Sequence, residues 1–534
     1  MINKKIIVTL TMGLTLLSTI QAKAFTRISY IVDKNGNIKS DLTKSEIRSG
    51  LKLKNSNPGK LKSIEAFQKN PKSIKIYVNG TVLLSDESIQ TSLDSSSFLN
   101  AVIDAVNLWN NIPTSKAVIE QPILSILNVD AMDGRNLITA KTNTAIEGAA
   151  AKTTFYNITN IATGKKATIN GEEIQTKPGQ ILDVDTVINP SKDKCVAVYT
   201  TVGDINIGGN DDPSVYNNGD GGWDYTKATD NCEDKISVGD VTDIAVQGIG
   251  RVLGLEDSAL TSSALGDAGR NKVRYNLTND DKIGVSNLYP NEKEINNLGT
   301  IYGKAVLNKI PVVGAHIVLE NTTTGEVVAG ALTNYKGEYK IKAIPTGNYI
   351  LYVEPLDGAV RPKTFLSTNG KNADINFRTG VSSNFVIGPG TKKRLNFKVV
   401  QNDGPALNLN PKVFGLSTDA EITDSGGNAI APITCTPGTS TSFELWGENI
   451  DENFGTLTIS GSDVTINSIS NATVKISSED DADSYPGLSI TVYCQPNAIP
   501  GPRNIKFILD KLDPLDPAYN LVDLISGAFV VQEN

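Results

Sequence analysis

Among the residue types that could do acid–base or metal chemistry in this chain of 534 residues, histidine is the scarcest. Its single histidine is His316, within the stretch GAHIVL of residues 314–319. One imidazole excludes every site that needs two, including the histidine-rich zinc sites of metalloproteases. Residues alternate between the two faces of a strand. We therefore interpret His316 as an exposed strand residue without a catalytic partner.

Carboxylates, amides and glycines are concentrated between residues 210 and 224. A loop of this composition can surround a calcium ion with oxygen atoms, because glycine lets the backbone turn tightly. The same residue types are also common in solvated turns, which is the interpretation we favour, and the spacing does not fit an EF-hand. The candidate calcium ligands are Asp211, Asp212, Asp220 and Asp224. We expect no other cofactor.

Four cysteines could form covalent cross-links. Their spacing lacks the C-x-x-C pattern of zinc and redox sites, so structural disulfides are the favoured use. Three pairings of four cysteines are possible. Keeping each pair within one segment of the chain selects Cys195 with Cys232 and Cys435 with Cys494.

The N-terminus has the features of a secretory signal peptide. A basic start, MINKK, is followed by an apolar run over residues 6–20, and Ala22 and Ala24 occupy the positions that a signal peptidase reads. This run of about 15 residues is shorter than the roughly 20 that cross a bilayer. We expect residues 1–24 to be removed and the protein to be exported, to an extracellular, cell-surface or periplasmic location, with no later membrane span.

Composition indicates several β-rich units. The chain has 39% hydrophobic and 6% aromatic residues, with 46 glycines and 23 prolines that favour strands joined by turns. At roughly 100 to 200 residues per domain, three or four units are expected. The net charge of −8 gives no overall electrostatic footprint for nucleic acid or an anionic membrane.

Hydrophobic periodicity changes along the chain. Apolar residues recur at helical spacing after Ser95 and again after Asp240, and Gly254 is expected to end the second helix. Together with several strands, these helices indicate a mixed α/β unit over residues 25–295. Beyond Pro290, short strands alternate with turn residues, which predicts all-β units over residues 296–402 and 403–534.

The second helix contains the most informative motif. Residues 247–258, QGIGRVLGLEDS, resemble the zinc-binding helix of the matrixin family of metzincin proteases, whose pattern is H-E-x-G-H-x-L-G-L-x-H-S. The matching positions are Gly250, Leu253, Gly254, Leu255 and Ser258. Further segments are similar to matrixin segments and follow the family's order, at residues 106–115, 130–140, 179–190 and 277–290. The resemblance implies a metzincin-like fold for the α/β unit.

The same resemblance assigns the functional positions of the family. Gln247, Arg251 and Asp257 occupy the three metal-ligand positions, and Gly248 occupies the general-base position. Matrixin hydrolysis needs three neutral imidazoles and a carboxylate beside the metal-bound water, and this chain provides none of them. Arg251 places a fixed positive charge at the former metal site, where we expect it to pair with Asp257. We therefore predict a pseudo-protease with no catalytic residue and no zinc.

Two resemblances concern the all-β units. Residues 299–306, 311–319, 333–339 and 344–349 resemble the carboxypeptidase regulatory-like domain, a prealbumin-like accessory sandwich. Residues 437–449 and 499–504 resemble the TIG domain, which has an immunoglobulin-like fold. In the latter, Phe443 and Leu445 alternate with polar residues and are expected to lie inside. Trp446 is expected to point outward unless a bulge intervenes, and we favour packing at a sheet edge over contact with a partner.

These observations predict a multidomain protein with an α/β metzincin-like N-terminal domain followed by two β-sandwich domains. We expect an exported, non-catalytic protein that binds or displays at the cell surface, with a protein or an envelope polymer as its partner. A secreted matrixin-type metalloendopeptidase and a structural component of the envelope or matrix are the alternatives.

Overall fold

A computed structural model describes most of the two all-β units and part of the preceding unit. The described residues are 25–32, 38–39, 71–79, 95–125, 133–140, 151–161, 166–169, 172–175, 180–188, 195–200, 222–225, 238–255, 258–266, 276–356, 373–401, 412–417, 421–423, 432–448, 450, 456–477, 482–509 and 521–533. The predicted signal peptide lies outside them. Within the described residues, no helix combines the length and apolarity needed to cross a bilayer.

The first unit contains both helices and strands in its described part. Its helices are α1 Ser95–Asn110, α2 Val241–Val252, α3 Asn279–Leu288 and α4 Glu292–Ile295. Its strands are β1 Phe25–Val32, β2 Ile38–Lys39, β3 Tyr77–Asn79, β4 Ile123–Leu124, β5 Leu137–Ala140, β6 Ala151–Ile161, β7 Lys166–Ile169, β8 Glu172–Gln175, β9 Ile181–Ile188, β10 Cys195–Thr200, β11 Gly222–Tyr225 and β12 Val238–Asp240.

Seven of these strands form a mixed sheet in the order β2-β1-β6-β9-β5-β3-β4. Strand β9 runs parallel to β5 and antiparallel to β6, and β5 continues parallel to β3 and then β4. Two smaller sheets have the orders β11-β10-β12 and β7-β8. Strand β9 is buried at every position, as expected of a strand covered on both faces.

Helices α1 and α2 form the core of this unit together with the sheet. The apolar residues predicted for α1 are all buried: Phe98, Ala101, Val102, Ala105, Val106 and Trp109. The indole Nε1 of Trp109 donates a hydrogen bond to the carbonyl of Val246, 2.9 Å away, which joins α1 to α2. Helix α2 is followed by Gly254, whose φ of +95° is the left-handed conformation predicted for the helix end.

The second unit is a two-sheet β structure. Its strands are β13 Gly299–Leu307, β14 Ile310–Pro311, β15 His316–Asn321, β16 Val327–Leu332, β17 Glu338–Ile344, β18 Gly347–Glu354, β19 Gly380–Val381, β20 Phe385–Ile387, β21 Lys392–Arg394 and β22 Phe397–Val399. One sheet contains β14-β13-β17 with β21 and β22, and the other contains β16-β15-β18-β19 with β20. Apolar residues from both sheets, among them Ile301, Ile317, Ile341 and Leu351, form a common core.

The third unit also contains two sheets. Its strands are β23 Lys412–Ser417, β24 Glu421–Thr423, β25 Ile433–Cys435, β26 Ser440–Glu448, β27 Thr456–Ile459, β28 Val464–Ser477, β29 Ala482–Cys494, β30 Gly501–Leu509 and β31 Leu521–Val531. They are arranged as β23-β26-β29-β28-β24 and β25-β31-β30-β27. The core between them contains Phe443 and Leu445, as predicted.

Trp446 is not part of this core, as the alternation predicts, but it is fully buried rather than packed at a sheet edge. A bulge in β23 between Val413 and Gly415 places Gly415 opposite Trp446 in β26. A Cβ atom at position 415 would approach the Trp446 ring to 2.1 Å, so the glycine leaves the space that the ring occupies. The strand alternation correctly separates Trp446 from Phe443, but it does not show that the second face is covered.

The three units contact one another around Leu260. This residue packs in a small apolar cluster with Val318, Val327 and Tyr352 of the second unit and Leu524 of the third. Nearby, the backbone N–H of Thr261 donates to the carbonyl of Ser526 at 3.1 Å. The outer face of the sheet containing β15 and β18 is therefore covered by segments of the first and third units.

Candidate functional site

Gly248 of helix α2, which is aligned with the general base of the matrixin pattern, faces strand β9 directly. A Cβ atom on Gly248 would lie 2.5 Å from the Oγ1 atom of Thr186 and 3.2 Å from its Cβ. The Thr186 hydroxyl is within 3.0 Å of the hydroxyl of Thr153 on β6, so it is held in place. The space in which a general-base side chain would begin is filled by the sheet.

Arg251, which is aligned with a metal ligand of the matrixin pattern, is buried. Its Nη1 atom donates a hydrogen bond to the carbonyl oxygen of Leu255 at 3.0 Å, so the guanidinium turns toward the C-terminal end of its own helix. This position suits a cation, because the carbonyl groups at a helix C-terminus are partly negative. Gln247 is half-buried, and Asp257, the expected ion-pair partner, lies outside the described residues.

The turn at residues 263–266 lies against α2. A Cβ atom on Gly250 would approach Leu265 Cδ2 to 2.9 Å and Trp109 Cζ2 to 3.0 Å. Leu265 thus packs against the helix where Gly250 leaves room. The contact depends on glycine at position 250, one of the positions where the motif agrees.

Two more of the matrixin-like segments meet at the β5–β9 pair. The carboxylate of Asp183 on β9 accepts hydrogen bonds from the backbone N–H groups of Asp133 and Gly134, at 2.8 and 2.9 Å. Burial raises the pKa of Asp183 to about 7, while these N–H donors lower it. Segments 130–140 and 179–190 are therefore joined through side chains as well as through strand pairing.

The structure describes only some of the residues predicted to bind calcium or to form disulfides. Asp211, Asp212 and Asp220 lie outside the described residues, and of Asp224 only the backbone, in β11, is described. Among the described residues there is no cluster of three or more histidines, cysteines or carboxylates able to hold a metal ion. The predicted Cys435–Cys494 disulfide is confirmed. Cys195 begins β10, and Cys232 lies outside the described residues.

The prediction of an exposed His316 is wrong, because the residue has no exposed surface. Its Nδ1 atom lies 2.6 Å from Glu354 Oε1 on the neighbouring strand β18. The same carboxylate oxygen accepts a hydrogen bond of 2.6 Å from the Ser526 hydroxyl of the third unit. Strand alternation assigns His316 to the face away from the sandwich core, but that face is covered by the other two units.

His316 borders a crevice of about 200 Å³ between the first and second units. Asp280, at the start of α3, lines the same crevice and accepts hydrogen bonds from Ser258 Oγ at 2.7 Å and from the Gly330 N–H at 2.8 Å. The neighbouring Asp281 is buried and accepts from the Ser263 hydroxyl at 2.6 Å. Within the described residues, His316 Nε2 has no hydrogen-bond partner. The crevice thus combines two carboxylates with one imidazole.

The pKa of Asp280 is raised to about 6, first by burial and then by the charge of Asp281. Hydrogen bonds from Gly330 and Ser258, and the proximity of His316, oppose this rise. The folded protein therefore holds the Asp280 proton more tightly than the unfolded chain, whose aspartates titrate near pH 3.9.

We expect the stability of the wild-type protein to decrease as the pH rises from about 4 to about 6, because the raised pKa of Asp280 favours the protonated folded state. The contribution is on the order of 1 to 3 kcal/mol. Urea denaturation at pH 4.5 and pH 7 would measure it. Asp280→Asn, which cannot ionise, should show a smaller difference between these pH values, and an unchanged difference would contradict the assignment to Asp280.

Comparison with known proteins gives no family. No family model matches the chain, and the search of curated proteins found no significant match. Among solved structures, 5-hydroxyisourate hydrolase of Klebsiella pneumoniae aligns with 20% identity over 19% of this chain and 85% of its own, with a TM-score of 0.13.

Two pilin structures align over longer parts of the chain. The major pilin subunit BcpA of Bacillus cereus aligns with 10% identity over 44% of this chain and 69% of its own, with a TM-score of 0.14. The full-length major pilin SpaD of Corynebacterium diphtheriae aligns with 7% identity over 43% of this chain and 64% of its own, with a TM-score of 0.15. With TM-scores this low, function must be argued from the residues of this chain itself.

Proposed function

We propose that this chain is an exported, non-catalytic binding or display protein, in which a degenerate matrixin-like domain is packed against two β-sandwiches. The observation that supports the proposal most directly is the surface of α2 at the former protease positions. Gly248 lies against Thr186, and Arg251 is buried with its guanidinium bonded to the end of its own helix.

The chemistry of these positions does not fit zinc. A catalytic zinc site is built from three protein ligands, usually imidazoles and carboxylates, with one position open for water. A guanidinium is always positively charged and has no lone pair to donate to a metal. At position 248 there is no carboxylate to take a proton from a bound water, and the neighbouring threonine leaves no room for one.

The matrixin-like origin of the first unit is supported by the way its matching segments meet. Gly250 receives Leu265, Asp183 binds the backbone at Asp133 and Gly134, and the Tyr289 hydroxyl donates to the carbonyl of Leu253 at 2.6 Å. These contacts join segments that are far apart in the sequence. Motif residues such as Gly250 and Leu253 thus make packing contacts. The metal-ligand and general-base positions of the motif carry other residue types.

A binding role fits the way the units are joined. Polar contacts connect all three units: the part-buried pair Asp280 with Gly330, and the buried pairs Glu354 with Ser526 and Asn504 with Glu320 at 2.7 Å. Such contacts fix the relative positions of the surfaces outside the junction. A chain of rigidly joined β units presents loops and sheet faces in a constant arrangement, which suits recognition or display.

Zinc content and proteolysis test this proposal. The purified full-length chain should contain no stoichiometric zinc and should not cleave unfolded casein, with or without a chelator. Tight stoichiometric zinc together with chelator-sensitive cleavage would instead favour the metalloendopeptidase alternative. Fractionation of producing cells separates the other alternative, because a structural component would self-associate or stay with the envelope.

A gain-of-binding variant tests the matrixin-like part separately. Replacing Gln247, Arg251 and Asp257 together by histidine should create a zinc site, since the resemblance assigns these three positions to the ligands. We expect stoichiometric zinc in this triple variant but still no hydrolysis, because Gly248 provides no general base. A folded triple variant that binds no zinc would contradict the matrixin-like arrangement.

A further inference from the structure

The outer face of one sheet in the second unit consists of exposed and half-buried residues. In β13, Ile301, Gly303 and Ala305 are buried, whereas Thr300, Tyr302, Lys304 and Val306 alternate with them and are half-buried or exposed. The opposite sheet of this sandwich has its outer face covered by the first and third units. The sheet containing β13 is therefore the free side of the sandwich among the described residues.

Cations dominate this free face. Strand register places Lys340 of β17 on one side of Tyr302 and Arg394 of β21 on the other. Lys392 lies beside Thr300, and Lys398 of β22 lies beside Val306. The basic face, as we call it, is defined by six residues: Lys304, Lys340, Lys342, Lys392, Arg394 and Lys398.

Glu338 is the one acidic residue in the five described strands of this sheet, and it pairs with Lys304 at 2.9 Å. Six cations and one carboxylate leave the face with an excess of five positive charges, in a chain whose net charge is −8. Like charges placed side by side repel one another in the absence of a counter-ion. The concentration of charge therefore points to an anionic partner.

We infer that the basic face binds a linear phosphate-bearing glycan polymer. Five of the six cations are lysines, which act as point charges on phosphate and do not require the planar geometry that suits arginine forks. Cations at alternate positions of a strand are about 6.6 Å apart. This open row suits the repeating charges of an extended polymer better than a compact small molecule.

Tyr302 adds a contact of a different kind at the centre of the basic face. Its side chain is 40% exposed between Lys340 and Arg394, so part of the ring is free to lie against a sugar. Proteins that hold single-stranded nucleic acid provide several aromatic rings for successive bases. In the described strands of this sheet, Tyr302 is the one exposed aromatic residue, which favours a glycan over a nucleic acid.

This inference rests on the proposed function, because export would place the basic face among the polymers of a cell envelope. The test uses the full-length chain and soluble phosphomannan, a glycosyl phosphate polymer, with neutral mannan as the matched ligand. We expect binding to phosphomannan and none to mannan. If about four cations contact phosphates that are as closely spaced as those of a single-stranded nucleic acid, raising the salt from 50 to 200 mM should weaken binding on the order of 50-fold.

Charge-reversal variants assign the site. Changing Lys340, Lys392 and Arg394 together to glutamate should weaken phosphomannan binding at least tenfold. Changing Lys72, Lys75 and Lys116, which are exposed on the first unit, to glutamate alters the net charge equally and should leave binding unchanged. Circular dichroism and thermal denaturation would show that both variants are folded.

Three results would overturn the inference: no binding to phosphomannan at 50 mM salt, an equal loss in both variants, or tighter binding to phosphatidylglycerol vesicles or to duplex DNA. The last would replace the glycan with a membrane or a nucleic acid. None of these results bears on zinc content or proteolysis, so failure of this inference is distinguishable from failure of the proposed function.

Discussion

Gly248→Glu, which introduces the glutamate of the matrixin pattern, should destabilise the protein by roughly 4 to 6 kcal/mol rather than create activity. The new side chain would begin 2.5 Å from Thr186 Oγ1, in a buried position with no room for it. Overpacking costs about 1 to 3 kcal/mol, and burying an unpaired carboxylate costs several more. Replacing glycine in a helix improves helix propensity by at most about 1 kcal/mol, which offsets only part of this destabilisation. Urea denaturation followed by circular dichroism would measure the change.

A matched set of variants separates the contact from a general effect on the helix. Gly248→Ala alone should be destabilising, because its methyl group meets the same threonine. Combining it with Thr186→Ala removes the obstructing hydroxyl and methyl groups, so the double variant should lose less stability than the sum of the two single changes. A Gly248→Glu protein with an unchanged urea midpoint would show that this face of α2 is open.

Glu354→Ala should destabilise the junction of the three units by roughly 3 to 5 kcal/mol. The substitution removes the acceptor shared by His316 Nδ1 and the Ser526 hydroxyl, each 2.6 Å from Glu354 Oε1. Both groups would remain buried without a partner, and unmatched buried polar groups are costly. The effect should appear as a lower urea midpoint and as faster limited proteolysis between the units.

Ser526→Ala is the matched control for this junction. It removes one hydrogen bond and leaves the His316–Glu354 pair intact, so we expect a loss of about 1 kcal/mol. Replacing His316 and Glu354 together by leucine should cost less than Glu354→Ala, because no polar group of the pair is then left unmatched. Equal losses for Ser526→Ala and Glu354→Ala would show that the carboxylate is not the centre of the junction.

Much of the local structure could be predicted from periodicity. The apolar spacing after Ser95 and Asp240 gave α1 and α2, and Gly254 has the left-handed φ that ends the second helix. Local patterns suffice here because side-chain spacing and backbone conformation act within a few residues. The Cys435–Cys494 bond could be predicted in the same way from the division of the chain into segments.

Predictions of burial were less successful for strand faces that point away from a sandwich core. His316 and Trp446 both lie on the faces that strand alternation assigns to them, yet both are buried. In the first case the other two units cover the sheet, and in the second a bulge and Gly415 accommodate the ring. Alternation states which side of a strand a residue occupies, but it contains no information about what is packed against that side.

The amino-acid sequence by itself determined the side-chain chemistry of the motif at residues 247–258, because it is set by residue type: Gln247, Gly248 and Arg251 offer neither an imidazole nor a carboxylate. The tertiary structure decided how those positions are filled, with Thr186 against Gly248. Only the tertiary structure forms the basic face, because Lys304, Lys340 and Arg394 belong to three strands that are neighbours in the sheet. Net charge is a sum over the whole chain, whereas recognition depends on which charges are neighbours in space.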